Sequence, residues 1–139
     1  MRKAKVEVTV EFVDLDGMRA VYHANYLKWM DMARTKLYID AGFRVDQWEA
    51  GGILLPLVMC NCEFKASAMF KDVLEVVAKV EAVERKVCTL SYELRRKSDG
   101  LMICTAMTKQ VFCDENSKSF ILQDKYPELY EALLLPETA

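Results

Sequence analysis

Residues 11–42 read EFVDLDGMRAVYHANYLKWMDMARTKLYIDAG, and the change of periodicity along them decides the fold. Through Val21 the stretch carries Asp14, Asp16 and Gly17 without a sustained apolar pattern, as a turn or loop does. From about His23 to Ala41, Tyr26, Met30, Ala33, Leu37 and Ala41 recur at helical spacing, and Gly42 follows as a stop signal. Leu27, Trp29, Tyr38 and Ile39 flank that stripe. One long helix is expected here, apolar over most of its circumference and therefore in need of cover on several sides.

Upstream, residues 5–12 alternate. Val6, Val8, Val10 and Phe12 face one way and Lys5, Glu7, Thr9 and Glu11 the other, which predicts a half-buried strand. Downstream, residues 43–52 read as an irregular connection. The runs Ile53–Met59, Cys60–Ala68, Val73–Val83 and Val87–Arg95 then have strand character, and Ser98-Asp99-Gly100 marks a hairpin into Leu101–Cys113. A short last helix follows Tyr126-Pro127, with Leu129, Leu133 and Leu134 as its apolar face. The economical packing is an α+β domain over residues 1–139, an antiparallel sheet of about five strands wrapped around one long helix.

Composition narrows the classes. The chain has 139 residues, 53% hydrophobic and 29% charged, which suits one ordinary domain with a real core. Its net charge of −2 lacks the basic excess of a nucleic-acid-binding domain. Five cysteines, an odd number, cannot all pair, and with no CxxC pair and a single histidine, His23, a Cys/His zinc site is not expected. The cysteines read as small buried hydrophobes of a reducing compartment. The N-terminus lacks the continuous apolar stretch of a signal peptide, and no apolar run is long enough to span a bilayer, so a cytoplasmic protein is expected.

Asp14 and Asp16 lie where strand gives way to helix. Either can simply stabilise the turn or the helix start, where the dipole and free N–H groups favour a carboxylate. The same geometry can do chemistry: helix N-terminal N–H groups can hold a thioester oxygen while a carboxylate attacks the carbonyl or deprotonates a water. On the long helix Asp31 is a reserve carboxylate, with Arg34 at a suitable spacing to pair with it.

The pattern D-x-D-x-x-x-x-V-Y-H-A-N-Y, followed by A-R-T on one helix, resembles the 4-hydroxybenzoyl-CoA thioesterase-like family of acyl-CoA thioester hydrolases, which have the hotdog fold. Glu63, Phe64, Ala68, Asp72 and Leu74 are similar to a second, weaker motif of that family. The resemblance covers about residues 5–115 and implies an acyl-CoA substrate, no cofactor, no metal and a homodimer or homotetramer. It implies Asp16 as the catalytic carboxylate and His23 at the position whose backbone N–H faces the thioester oxygen. Tyr22, Asn25 and Tyr26 would shape the acyl pocket and the helix start, and Arg85 and Lys86 would meet CoA phosphates. One position departs from the family. Where it usually has a glycine in the loop after the catalytic aspartate, this chain has Arg19, with its glycine earlier, at Gly17. Arg19 is expected either to force a different loop or to supply a cation for an acidic acyl group or a CoA phosphate. Three rival readings are an acyl-carrier-protein substrate, a dehydratase or hydratase, and a non-catalytic acyl-CoA-binding protein.

Overall fold

The computed structural model describes residues 1–44 and 52–136, so most of the connection expected at 43–52 lies outside the described residues. Strand β1 (Lys3–Thr9) leads through a 3-10 turn (Phe12–Asp14) to helix α1 (Ala24–Ala41). Four strands follow: β2 (Leu57–Phe64), β3 (Val73–Glu84), β4 (Val87–Arg96) and β5 (Met102–Val111). Two short helices, α2 (Leu122–Lys125) and α3 (Pro127–Leu134), come after them. The strands form one antiparallel sheet in the order β1-β3-β4-β5-β2, with α1 packed on β1 and β3. This is the hotdog arrangement, in which β2 crosses over to the edge beside β5.

Alternation builds the core. Leu74, Val76, Ala78 and Val80 of β3 and Cys88, Leu90, Tyr92 and Leu94 of β4 point to the helix side and are buried. The α1 residues Tyr26, Trp29, Met30, Ala33, Leu37, Tyr38 and Ala41 pack down onto them. Gly42, at φ 108°, ends α1 in the left-handed conformation that glycine adopts without a Cβ clash. In α3, Pro127 takes the first turn and Leu133 is buried, as expected. Among the described residues no helix is long and apolar enough to cross a membrane.

Three expectations need correction. The first strand stops at Thr9, and Phe12 is not an inward residue but 77% exposed. The cause is local: the Glu11 N–H donates to Asp14 Oδ2 at 2.8 Å, which turns the chain before the alternation can reach Phe12. Secondly, α1 is not covered all round. Leu27, Met32 and Ile39 stay exposed along its outer side. Thirdly, Cys60 is not buried; it lies exposed on β2, with Cys62 half-buried beside it, whereas Cys88, Cys104 and Cys113 are interior. Leu57, Val58 and Phe64 on the same edge strand are exposed as well.

Candidate active site

The segment between β1 and α1 folds as a small hairpin. Leu15 bridges Val21, and Ala20 bridges Met69 of the loop before β3. The two aspartates hold it in different ways. Asp14 is structural: its backbone oxygen accepts the Tyr22 N–H at 2.8 Å and an N–H from Asn25 Nδ2 at 2.9 Å, tying the loop to the helix start. Asp16 donates its N–H to the Ala20 oxygen at 2.8 Å, and its Oδ1 accepts the Met18 N–H at 2.6 Å. The Asp16 carboxylate therefore stands at the exposed mouth of the hairpin, aimed by the turn it closes.

Arg19 sits at the tip with φ 68°, the left-handed region that a glycine would adopt. Arg19 takes this strained conformation itself, at a cost of about 1–2 kcal/mol. Its side chain is exposed. Gly17 has no such requirement: a Cβ there would meet nothing within 4 Å.

His23 occupies the position before α1, exposed, with its ring 4.6 Å from that of Tyr22. Among the described residues the His23 and Ala24 N–H groups have no acceptor, whereas the Tyr22, Asn25 and Tyr26 N–H groups are satisfied by Asp14, Tyr22 and His23 oxygens. Two open donors thus mark the helix start, as helix termini leave them.

Below the loop, Tyr26 is buried, and its hydroxyl accepts the Ala68 N–H at 3.0 Å. Ala68 in turn accepts the Val21 N–H at 3.2 Å, so helix, loop and the segment before β3 meet at one point. Burial pushes the Tyr26 hydroxyl above the ordinary phenol range, and the negative charge of Asp16 and of Asp72 adds to the shift. Asp72 stands nearby: its Oδ2 accepts the Met69 N–H at 2.9 Å and pairs with Arg96 Nε at 3.0 Å. In the sequence, Ala68 and Asp72 appear only as part of the weaker family motif; the local signal for their role is an aspartate closing a turn just before a strand.

Other expected residues lie elsewhere. Arg85, at φ 55°, and Lys86 make the exposed β3–β4 turn. Val73, at the opposite end of β3, pairs with Thr9 just before the hairpin. Eleven residue steps along β3 put the basic pair about 36 Å from the Asp16 end of the same chain. Asp31 is exposed and pairs with Arg34 at 2.8 Å, well along α1 from His23.

A family model described as the thioesterase superfamily matches residues 18–103. The chain belongs to the thioesterase superfamily. A Bacillus subtilis (strain 168) protein with the provisional name acyl-CoA thioesterase YneP is 28% identical over 132 residues, covering 95% of this chain and 96% of that one. The 4-hydroxybenzoyl-CoA thioesterase of Pseudomonas sp. (strain CBS-3) is 28% identical over 102 residues, 71% of this chain and 72% of that one. Among solved structures, a DHNA-CoA thioesterase from Staphylococcus aureus superposes with a TM-score of 0.85 at 26% identity, covering 95% of this chain and 89% of that one. This member of the superfamily thus has its hairpin carboxylate and open helix-start donors on a hotdog frame shared over nearly its whole length.

Proposed function

We propose that the protein hydrolyses an acyl-CoA thioester to the free acid and CoA, with Asp16 as the catalytic carboxylate. The observation that carries the reading is an exposed Asp16 carboxylate in the short hairpin that leads into α1, where the His23 and Ala24 N–H groups are unpartnered among the described residues. In this reading the thioester oxygen takes hydrogen bonds from those N–H groups. Asp16 either attacks the carbonyl carbon, giving an acyl-enzyme anhydride that water hydrolyses, or removes a proton from an attacking water. Both routes expel the CoA thiolate and build negative charge on the oxygen, where one well-placed donor is worth about 3 kcal/mol. Tyr22, Asn25 and Tyr26 shape the helix start in this scheme, and the His23 ring borders the acyl group.

Arg19 keeps the backbone conformation of a loop glycine, which favours a working site over a non-catalytic acyl-CoA-binding protein. Its cation is available to an acidic acyl group or a phosphate. Since Arg85 and Lys86 are at the far end of the sheet, a role for them at CoA phosphates requires a second subunit. The exposed edge strand β2 and the uncovered side of α1 support a homodimer or homotetramer. The odd cysteine count, with three thiols interior, supports the cytoplasm as the compartment.

The test is thiol release from short-chain, long-chain and aromatic acyl-CoAs by the wild type and by Asp16→Asn. Turnover by the wild type, falling by about a hundredfold or more in a folded Asp16→Asn protein, is expected. Equal turnover by the two would refute the role of Asp16. No turnover by the wild type on any CoA ester would move the substrate to acyl-carrier-protein or leave a binding role.

A further inference from the structure

Beside the middle of α1 lies a cavity of about 230 Å³ that the proposed hydrolysis does not use. Arg34 lies ten residues along the helix from Ala24, a rise of about 15 Å, so this space is separate from the helix-start donors. Ile53, Leu54 and Leu55 supply the apolar lining together with Tyr38, and Arg34, Thr35 and Gln110 supply the polar lining. Tyr38 and Gln110 are each only 1% exposed. The Tyr38 hydroxyl donates to Gln110 Oε1 at 2.5 Å, which fixes the amide with its nitrogen turned to the Leu55 oxygen at a long 3.4 Å. One N–H of that buried amide has no partner among the described residues.

Arg34 is open in the same way. Its side chain is 19% exposed, and among the described residues only Nη2 is engaged, by Asp31 Oδ1 at 2.8 Å. A guanidinium carries five N–H donors in a planar fork, and among the described residues the others of Arg34 find no acceptor. The Asp31 carboxylate is 62% exposed and engages one guanidinium nitrogen, so the remaining N–H groups can take a second acceptor. A sheltered guanidinium with open donors, an orphan amide N–H and an apolar wall together suit a planar carboxylate with a small apolar body. A single arginine already shared with Asp31 is poorly matched to a phosphate dianion. The volume is below the range of about 300–1,000 Å³ typical of larger ligands, which excludes a long fatty tail.

We propose that this cavity binds a small carboxylic acid, with the carboxylate on Arg34 and Gln110 and the apolar body against Ile53, Leu54 and Leu55. The class includes acids that the proposed hydrolysis would release, but the site stands whether or not Asp16 is the catalyst. The test is titration of the full-length ¹⁵N-labelled protein with sodium benzoate, followed by NMR, with benzyl alcohol as the uncharged counterpart. Saturable shifts are expected at the Leu54 and Leu55 amides and the Gln110 side-chain amide. Benzyl alcohol and the Arg34→Met variant should bind about tenfold more weakly or worse. Should Arg34→Met fail to fold, Arg34→Lys keeps the charge without the fork and should weaken benzoate severalfold. Asp16→Asn should bind benzoate as the wild type does, which separates this site from the thioesterase reading. Shifts confined to residues 14–23, no saturable shift, or benzoate affinity unchanged in both Arg34 variants would overturn the proposal.

Discussion

Replacing Tyr26 by Phe removes one oxygen and should cost more than its size implies. The ring would stay where it is, between Trp29 at 5.7 Å and Phe64 at 5.5 Å, so the apolar burial is unchanged. What is lost is the acceptor of the Ala68 N–H, a backbone donor at a residue with 0% exposure that water cannot readily reach. An unsatisfied buried donor costs about 1–3 kcal/mol, whereas deletion of an exposed hydroxyl costs little. At this chain length each kcal/mol lowers Tm by roughly 3–5 °C. The damage should also reach the chemistry, because Ala68 holds Val21 and through it the hairpin that aims Asp16. The assay is urea and thermal unfolding at one fixed protein concentration, since assembly would otherwise shift the midpoint. Thiol release from the preferred acyl-CoA is measured alongside. Tyr22→Phe is the control for the unfolding measurement, its hydroxyl being exposed and without a partner among the described residues. If Tyr26→Phe unfolds within about 0.3 kcal/mol of the wild type, the Tyr26–Ala68 bond is not the fastening described, and the argument fails.

Gly17→Ala should stabilise the protein by about 0.4–1 kcal/mol in urea unfolding, since the site has room for a Cβ and no left-handed backbone to forbid it. Arg19→Gly should change stability by between zero and about +1 kcal/mol. Relief of left-handed strain exceeds or matches the freedom that glycine adds to the unfolded chain, and a clear loss of stability would contradict the φ of 68°. Burial pushes the Tyr92 hydroxyl up to about 12, so the folded state keeps its proton where the unfolded chain, near 10, releases it. Stability is then full below pH 10 and falls as pH rises towards 12, by up to about 1.4 kcal/mol per pH unit for this group. The urea midpoint of Tyr92→Phe, followed over that window, should fall less steeply than that of the wild type.

Periodicity made the frame readable. The helical stripe from Tyr26 to Ala41 and the alternation in β3 and β4 are burial patterns, and burial is what the core selects. The carboxylate at the strand-to-helix junction was readable too, because helix starts are chemically marked. What stayed hidden depended on contacts between distant or competing groups. Alternation through Phe12 gave no warning that Asp14 would capture the Glu11 N–H and end the strand early. The residue types of the loop do not show that its left-handed turn falls on Arg19 and not on Gly17. The Tyr26–Ala68 bond joins residues 42 positions apart, and no local pattern encodes it. Nor does adjacency of Arg85 and Lys86 in the chain say which end of the sheet their turn occupies.

Cys60 gives the protein a built-in chemical footprint of its own edge. It is the one exposed thiol among the five, on the edge strand of the sheet. Its neighbour Cys62 is held at about 12 by burial, foremost, and by the thiol 3.8 Å away, so it offers little reactive thiolate. A maleimide or similar reagent therefore counts open edges: one rapid equivalent per chain where β2 is bare, and less as another surface covers it. Labelling across a dilution series reads association at that strand directly, with no mutation and no added tag.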